Sequence, residues 1–429
     1  MFDWFKKKPE RIYLDYASAT PVCEAAALAA AKAAATFGNP GSIHAEGVQA
    51  KRTLENARES IAAELGCKAH EVVFTSGGTE ANNLAILGFA RKLVMSGPSG
   101  RSDLPGLEGQ TFQNSLAGTH WVVSSIEHPS VLECFVEIER LGGEVAHVDP
   151  DIHGIITPEA VSFALRPNTV FVSIGWGNSE IGTIQPLAQT ARVIRDFEKT
   201  RYITSQNSEV TPPSSRSLHN IVFHTDAGQA SLYQPLQVHS LGVDLLSLDS
   251  GKLYGPRGIG ALFVGKDVEL APIILGGKQE RRLRAGTENV ALAAGFAAAL
   301  TYAASERASE SKRLEKLRDH FAREMIAHVS GVAINGSLEH AMPHILNISI
   351  PDINSEYVTL ALDHEGIALS TKSACREGEA SRSHVVEALG GEPWRAQNTL
   401  RFSLGRSTNA EDLKRVVHVL ASRIESNKA

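Results

Sequence analysis

The chain has 429 residues, more than one hydrophobic core usually serves, so its length favours two domains. Apolar residues make up 43% and charged residues 21%, which is ordinary for a soluble globular enzyme. The formal net charge is -6 and no long run of Lys and Arg occurs, which argues against a nucleic-acid groove or an anionic membrane surface as the binding partner.

The N-terminus and the cysteines bear on where the protein works. The chain starts Met-Phe-Asp-Trp-Phe-Lys-Lys-Lys, without a signal-peptide core after it, so we expect a cytoplasmic protein. The longest apolar stretch, 290–304, falls short of a bilayer span. The cysteines lie far apart, at Cys23, Cys67, Cys134 and Cys375. They form no paired motif, so we expect neither disulfides nor a metal site.

Short apolar runs alternate with helical patterns through the first two-thirds of the chain. A helix is predicted over 45–65, where apolar residues form one stripe and Gly66 follows as a C-cap. Segments 95–118 and 200–219, rich in small and turn-forming residues, are predicted to be surface insertions. Buried strands are predicted at 72–75, 121–124, 170–174, 221–223 and 261–264. This alternation predicts a mostly parallel sheet covered by helices, with ligands at the carboxyl ends of its strands.

The pattern changes near residue 305. A long charged helix over about 305–329 precedes short strands such as 345–349, and a last amphipathic helix is predicted at 410–424. The predicted division is a large domain over 19–304 and a smaller α+β domain made of 1–18 with 305–429.

Three segments contain residues suited to chemistry. Ser76-Gly77-Gly78-Thr79-Glu80 follows a strand and opens a helix, a place where backbone N–H groups bind anions, although a plain tight turn is about as probable from these residues alone. Asp226 ends another predicted strand, where an acid either pairs with a protonated ring nitrogen or caps a helix. Lys252 stands alone among glycines, and a partly desolvated lysine there can form a Schiff base.

These segments, in this order and together with Ile126-Glu127-His128, resemble the class V aminotransferase group of fold-type I pyridoxal-phosphate (PLP) enzymes. More narrowly they resemble the NifS/IscS cysteine desulfurases. The resemblance runs from 12–17 through 37–40 and 178–182 to 400–406, and it implies the fold-type I α/β architecture.

The resemblance implies a role for each matching residue. Lys252 would carry the cofactor as a Schiff base, Asp226 would keep the pyridinium nitrogen protonated, and His128 would stack on the ring. The other implied cofactor contacts are Gln229 and Asn178 at the ring, with Gly78 and Thr79 at the phosphate. Thr287 would reach the phosphate from the other subunit, which implies a homodimer. Arg401, with Asn178 and Ser179, would bind the carboxylate of L-cysteine.

Cys375 lies in Ser373-Ala374-Cys375, which matches the motif that carries the nucleophile in the NifS/IscS family. A buried free cysteine would be the ordinary interpretation, but the segment is polar, and Lys372 and Arg376 flank the thiol and favour its thiolate. The distance from Cys375 to Gly390 resembles the desulfurases with a long, mobile loop. The implied product is a persulfide on Cys375, which a sulfur-acceptor protein would receive.

The chain departs from the family directly before the lysine. The family usually has Ser-Gly-His there, and this chain has Asp249, Ser250 and Gly251. An acid at the phosphate position should repel the phosphate, so we expect Asp249 to point away and Ser250 to bind the phosphate in its place.

The leading interpretation is a cysteine desulfurase that supplies sulfur for iron–sulfur clusters or tRNA thiolation. A selenocysteine lyase shares the cofactor chemistry, and another class V lyase or transaminase would not need Cys375. A degenerate PLP-fold protein kept as a binding partner is the fourth alternative, favoured only by the change at Asp249, Ser250 and Gly251.

Overall fold

The structure is a computed structural model, and it describes residues 11–96, 115–206, 220–371 and 382–428. Most of the insertions predicted at 95–118 and 200–219 therefore lie outside the described residues, and so does Cys375.

The described residues form short strands and longer helices. The strands are β1 (Ile12–Tyr13), β2 (Val72–Thr75), β3 (His120–Ser124), β4 (Glu144–Val148), β5 (Thr169–Ser173), β6 (Val222–Asp226), β7 (Leu245–Asp249), β8 (Gly260–Val264), β9 (Ala333–Ile334), β10 (Ile345–Ser349), β11 (Ile367–Ala368) and β12 (Thr399–Ser403). The helices are α1 (Glu24–Ala34), α2 (Ala45–Leu65), α3 (Gly78–Ser96), α4 (Pro129–Arg140), α5 (Pro158–Ala164), α6 (Leu187–Gln206), α7 (Val238–Leu241), α8 (Val290–His328), α9 (Ser355–His364), α10 (His384–Ala388), α11 (Pro393–Gln397) and α12 (Ala410–Lys428).

The central sheet has seven strands in the order β2-β8-β7-β6-β5-β3-β4. Its strands run parallel except β8, which is antiparallel to both β2 and β7. The α/β fold with a mostly parallel sheet is thus confirmed. Because β2, β3, β5, β6 and β7 run the same way, the loops that follow them all start at one edge of the sheet, where ligands bind such folds.

The C-terminal part of the chain forms smaller sheets. Strands β12, β10 and β9 make an antiparallel sheet, and β1 pairs in parallel with β11. The N-terminal residue Asp15 also bridges to Ser403 at the end of β12. The start of the chain is therefore tied by backbone pairing to elements from its last third.

The predicted helices and strands agree well with the structure. Helix α2 has the predicted bounds and ends at Gly66, whose φ of 66° is the left-handed conformation that glycine adopts at low cost. Residue 305, the predicted domain change, lies within the continuous helix α8. One buried apolar cluster also contains residues from both sides of that position, among them Leu14, Phe223 and Leu420. The division into 19–304 and 1–18 with 305–429 stays a prediction.

Membrane insertion has no support among the helices that the structure describes, because none is both long and apolar enough to cross a bilayer.

A buried ion pair fixes the segment before α8 to the edge strand β2. Arg58 donates from Nη1 and Nη2 to the two carboxylate oxygens of Glu280, both at 2.7 Å, and the Glu280 carboxylate also accepts the N–H of Phe74 at 2.9 Å. The Arg58 and Glu280 side chains are 9% and 2% exposed. Such a bidentate pair in a dry site resists loss of either partner, since the remaining charge would be buried alone.

We predict that Glu280→Ala lowers the free energy of unfolding by about 3 kcal/mol or more, because it leaves the Arg58 guanidinium without its buried counter-ion. Denaturant unfolding monitored by circular dichroism measures the change. The matched control is Glu144→Ala, which removes an exposed partner of Arg166 and should cost less than about 1 kcal/mol. Equal losses in the two variants would contradict the assignment.

Candidate active site

A cavity of about 160 Å³ lies at the carboxyl edge of the central sheet. Residues that follow β2, β3, β5, β6 and β7 line it, and so do residues from the N-terminal segment and β12. Nine of the residues predicted from the sequence are among them: Gly78, Thr79, His128, Asn178, Ser179, Asp226, Gln229, Lys252 and Arg401. The topology thus brings together residues that are far apart in the sequence.

Lys252 follows β7 in a short helical turn over Ser250–Lys252. Its Nζ donates to the backbone carbonyl oxygens of Ala17 at 2.7 Å and Ser18 at 2.6 Å. Nε2 of Gln229 donates to the same Ala17 oxygen at 2.7 Å. The N-terminal segment therefore holds the lysine at the cavity through backbone acceptors, which stabilise the ammonium form without a fixed negative charge.

Asp226 ends β6, and two donors fix its carboxylate. Asn82 Nδ2 donates to Oδ2 at 2.7 Å, and the backbone N–H of Gly228 donates to Oδ1 at 2.8 Å. Hydrogen bonds to a carboxylate favour its ionised form. Asp226 is therefore an oriented anion at the sheet edge rather than a helix cap.

The imidazole of His128 is held in one tautomer. Its Nδ1 accepts the backbone N–H of Ser130 at 3.1 Å at the start of α4, and the Ser130 hydroxyl lies 2.8 Å from the same nitrogen. A nitrogen that accepts a backbone N–H carries no proton, so the neutral ring is protonated on Nε2. Asn82 Nδ2 also donates to the Ser130 hydroxyl at 2.9 Å, so Asn82 links Asp226 to the group that orients His128.

Burial lowers the pKa of His128, and the positive charge of Lys252 lowers it further, against the opposing effect of Asp226. The ring therefore stays neutral to a lower pH than an exposed histidine. A neutral ring with a defined proton position is suited to contact an aromatic ligand and to move a proton.

Glu127 is a buried carboxyl group directly before His128. Its Oε1 accepts the N–H of Gly175 at 2.7 Å. Burial raises the pKa of Glu127 to about 8, and the neighbouring charge of Asp226 adds to the increase. Glu127 is therefore protonated at neutral pH, which avoids two adjacent negative charges at this edge of the sheet.

Arg401, on β12, is almost fully buried beside the cavity. Its Nη2 donates to Asp15 Oδ1 at 2.8 Å and to the Ser18 hydroxyl at 2.6 Å, and its Nη1 donates to the carbonyl oxygen of Ser179 at 3.0 Å. Its Nε is buried and has no hydrogen-bond partner among the described residues. The guanidinium is thus fixed in orientation and keeps one unused donor, a feature suited to binding an anionic group.

Asn178 has most of its amide engaged by backbone groups. Its Oδ1 accepts the N–H groups of Glu180 and Ile181, at 2.8 and 3.0 Å, and its Nδ2 donates to the carbonyl oxygen of Ile126 at 3.0 Å. Asn178 therefore shapes the loop after β5 and joins it to the loop after β3. Any contact with a ligand is left to its second amide proton.

The expectation about Asp249 is wrong in this structure. The carboxylate of Asp249 does not point away from the glycine loop, because its Oδ2 accepts the N–H of Gly78 at 3.2 Å. Its Oδ1 accepts the N–H of Gly251 at 2.8 Å, which caps the turn that carries Lys252. Ser250, expected in its place, is fully buried, does not line the cavity, and its hydroxyl has no partner among the described residues. The geometry of the turn directs the side chain of Asp249 toward the glycine loop and the side chain of Ser250 into the core.

The structure does not test the roles predicted for Thr287 and Cys375. Thr287 is exposed and does not line the cavity of its own chain, so its role toward a second subunit stays a prediction. Cys375 lies outside the described residues. Burial raises the pKa of both Cys67 and Cys134 to about 12, so neither thiol readily forms a thiolate.

The residues on either side of 372–381 form hydrogen bonds with other described residues, and those on the C-terminal side reach the cavity. The Thr399 hydroxyl donates to the carbonyl oxygen of Thr371 at 2.6 Å, and the Ser383 hydroxyl donates to Glu180 Oε2 at 2.6 Å. His384 lines the cavity, and its Nε2 lies 3.1 Å from the carbonyl oxygen of Glu127. The C-terminal flank of the segment that contains Cys375 therefore lies at the cavity, through His384 and through the bond from Ser383 to Glu180.

Sequence reasoning missed several residues that shape the site. They are Asp15, Ser18, Asn82, Ser130, Glu180 and His384. Asp15 belongs to a segment that the resemblance includes without a role, and Asn82 lies in the helix after the glycine loop. Asn82 follows Gly78 by four residues, and residues four apart share a helix face, so this spacing could have pointed to Asn82.

Comparisons with known proteins give a consistent result. The family model described as aminotransferase class-V matches residues 12–99, 109–204 and 214–416. A protein of Dictyoglomus turgidum called cysteine desulfurase IscS is 37% identical over 415 residues, which are 96% of this chain and 94% of that protein. A Bacillus subtilis protein called putative cysteine desulfurase IscS 1 is 36% identical, over 94% of this chain and 96% of that protein.

Solved structures agree in fold. One described as a NifS-like protein has a TM-score of 0.81 at 28% identity, covering 97% of this chain and 99% of its own. Another, described as SspA in complex with cysteine, has a TM-score of 0.72 at 31% identity, covering 92% and 98%.

We predict that His128 is neutral and protonated on Nε2 at pH values just below the ordinary histidine pKa, because burial disfavours its charge and Ser130 occupies Nδ1. Ring ¹⁵N spectra of histidine-labelled protein measure the tautomer, and the spectrum of His128→Gln assigns the signals. A proton bonded to Nδ1 of His128 would contradict the geometry.

We predict that Glu127 makes the protein less stable as the pH rises. The unfolded chain loses this proton near the ordinary glutamate pKa, whereas the folded chain keeps it to about pH 8. Folding therefore takes up a proton between these values, and stability falls through that window and levels off above it, by on the order of 1–3 kcal/mol. Thermal unfolding of the wild-type chain and Glu127→Gln across this range measures it. A constant difference between the two at all pH values would refute the prediction.

Proposed function

Because the chain belongs to the class V aminotransferase family, and within it to the cysteine desulfurases of the IscS and NifS type, we propose that it converts L-cysteine to L-alanine and leaves the sulfur as a persulfide on Cys375. The enzyme uses PLP, the cofactor of this family. The observation that carries the proposal is the cavity at the sheet edge, where Lys252, Asp226, His128 and Arg401 meet.

The ring end of the cavity fits PLP in its donor set. Lys252 is an amine that donates to the backbone carbonyl oxygens of Ala17 and Ser18. Asp226 is an oriented carboxylate, and Gln229 donates to the same Ala17 oxygen. When bound, PLP supplies an electron sink for the negative charge left by loss of the substrate's α-proton. The residues that would hold it are Lys252, Asp226, His128, Gln229, Asn178, Gly78, Thr79 and, from the second subunit, Thr287.

Each cavity residue has a task that follows from its contacts. Asp226 would keep a proton on the ring nitrogen of the cofactor. His128 presents a proton on Nε2 and remains neutral, so it can exchange a proton without a stable charge in the cavity. Lys252 must release its proton before its amine can react, and displacement from the Ala17 and Ser18 carbonyls removes the acceptors that favour the ammonium form.

Arg401 would bind the carboxylate of L-cysteine, with the neighbouring Ser179 and Asn178 shaping that side. Its contact with Asp15 offsets part of its charge and fixes the guanidinium, so the substrate meets a pre-oriented donor. The similar structure of SspA is a complex with cysteine, and this supports the same substrate here.

The second half of the reaction would belong to Cys375. Its thiolate would attack the substrate sulfur, take the sulfur as a persulfide, and leave the carbon skeleton as alanine. The raised pKa values of Cys67 and Cys134 support Cys375 in this task, since the attacking group is a thiolate. The names of the relatives favour a desulfurase over a selenocysteine lyase, a transaminase or a non-catalytic protein.

Partners follow from the chemistry. A persulfide on a protein needs an acceptor, so we propose transfer to an acceptor protein of iron–sulfur cluster assembly or tRNA thiolation. We also propose a homodimer in which Thr287 completes the neighbouring site, working in the cytoplasm.

The test is the position of the sulfur. We predict that wild-type protein treated with L-cysteine carries one extra sulfur on the peptide that contains Cys375, and that Cys375→Ser loses both this adduct and alanine release. Mass spectrometry and an alanine assay measure these. Cys23→Ser is the matched control and should keep both, whereas Lys252→Ala should lose both and also lose the cofactor's borohydride-reducible link. Alanine release at the wild-type rate from Cys375→Ser would overturn the proposal.

A further inference from the structure

The glycine loop at the start of α3 is the part of the cavity that should receive the phosphate of PLP, and a carboxylate already occupies it. Oδ2 of Asp249 accepts the N–H of Gly78 at 3.2 Å. A side-chain carbon added at Gly78 would lie 3.3 Å from that oxygen, and one added at Gly77 would lie 3.7 Å from it. The Asp249 carboxylate is therefore seated against both glycines.

A second acid, Glu80, accepts the backbone N–H of Ser76 in the same loop. The N–H of Ser76 donates to Glu80 Oε2 at 2.7 Å, and Glu80 pairs with Arg284 at 2.9 Å. The positive charge of Arg284 is therefore offset by Glu80. Gly78 and Thr79 are the loop residues that line the cavity, and Asp249 holds the N–H of the first of them, Gly78.

We propose that Asp249 competes with the cofactor phosphate for the glycine loop. The phosphate group therefore contributes less to the affinity for PLP than the pyridoxal ring does. This inference rests on the proposed function, because it concerns the same cofactor. Phosphate can reach the Gly78 N–H only if the carboxylate leaves it, and a carboxylate that stays nearby repels a phosphate dianion in a partly buried site. Most of the affinity would then come from Lys252, Asp226 and the ring contacts.

The competition makes Asp249 a residue that sets ligand specificity. A chain with a neutral hydrogen-bonding side chain at 249 should gain affinity for the phosphorylated cofactor alone. Asn and Ser both cap helical turns well, so either can keep the contact with the Gly251 N–H that supports the Lys252 turn.

The experiment compares two aldehydes that differ only in the phosphate. Apo protein of the full chain, stripped of cofactor, is titrated with PLP and with pyridoxal, and the absorbance change on linkage to Lys252 gives each dissociation constant. We expect Asp249→Asn and Asp249→Ser to bind PLP about tenfold or more tightly than wild type, with pyridoxal binding unchanged within about twofold. Asp196→Asn, which removes an equal charge from an exposed site outside the cavity, should change neither constant.

Each outcome decides the matter. A gain for PLP alone in either variant supports the competition, whereas no gain, a loss, or an equal gain for both aldehydes overturns it. If neither variant folds, the wild-type chain still tests it: a preference for PLP over pyridoxal below about tenfold is expected, and any larger preference overturns it. Failure of the wild-type chain to link either aldehyde to Lys252 would instead refute the proposed function, so the two failures are distinguishable.

Discussion

The arrangement of the cations at the carboxyl edge of the central sheet depends on one short segment of the chain, from Asp15 to Ser18. Its backbone carbonyls at Ala17 and Ser18 hold Lys252, while its side chains at Asp15 and Ser18 hold Arg401. Lys252 lies in the turn after β7 of the large sheet, and Arg401 lies on β12 of the small antiparallel one. Because acceptors from a single short segment hold both cations, the separation of Lys252 and Arg401 depends on the local geometry of that segment.

Charge at this edge is balanced in pairs. Arg401 is matched by Asp15, and Lys252 donates to the neutral carbonyls of Ala17 and Ser18. Glu127 would add another negative charge, but burial and the charge of Asp226 keep it protonated at neutral pH. The cavity therefore has one oriented carboxylate at Asp226 and another, Asp249, against the glycine loop. The first would suit a pyridinium, whereas the second would oppose a phosphate, and only the first was expected.

The sequence predicted the framework well because hydrophobic period and turn chemistry are local. The helix that ends at Gly66 and the strand that leads into Gly78 needed only residues within one turn of the chain. The composition of the site was also predictable through the resemblance. Side-chain direction was not, because it depends on distant partners. Whether Asp249 or Ser250 meets the glycine loop is set by how β7 pairs with β8 and ends against the loop after β2, and no local pattern reports that.

Two of the described cysteines, Cys67 and Cys134, lie in surroundings that keep them as thiols. Cys134 is buried in α4, where its Sγ donates to the carbonyl oxygen of Ser130, and Cys67 follows a helix end beside Glu71. Both surroundings favour the thiol, as a core must, because an unpaired thiolate would be a buried charge. A cysteine that has to become a thiolate and then deliver sulfur to another protein therefore needs to lie outside the core. In the sequence, the segment between Thr371 and Ser383 is polar and has a cationic residue on each side of Cys375, and its C-terminal flank bonds to Glu180 in the cavity lining.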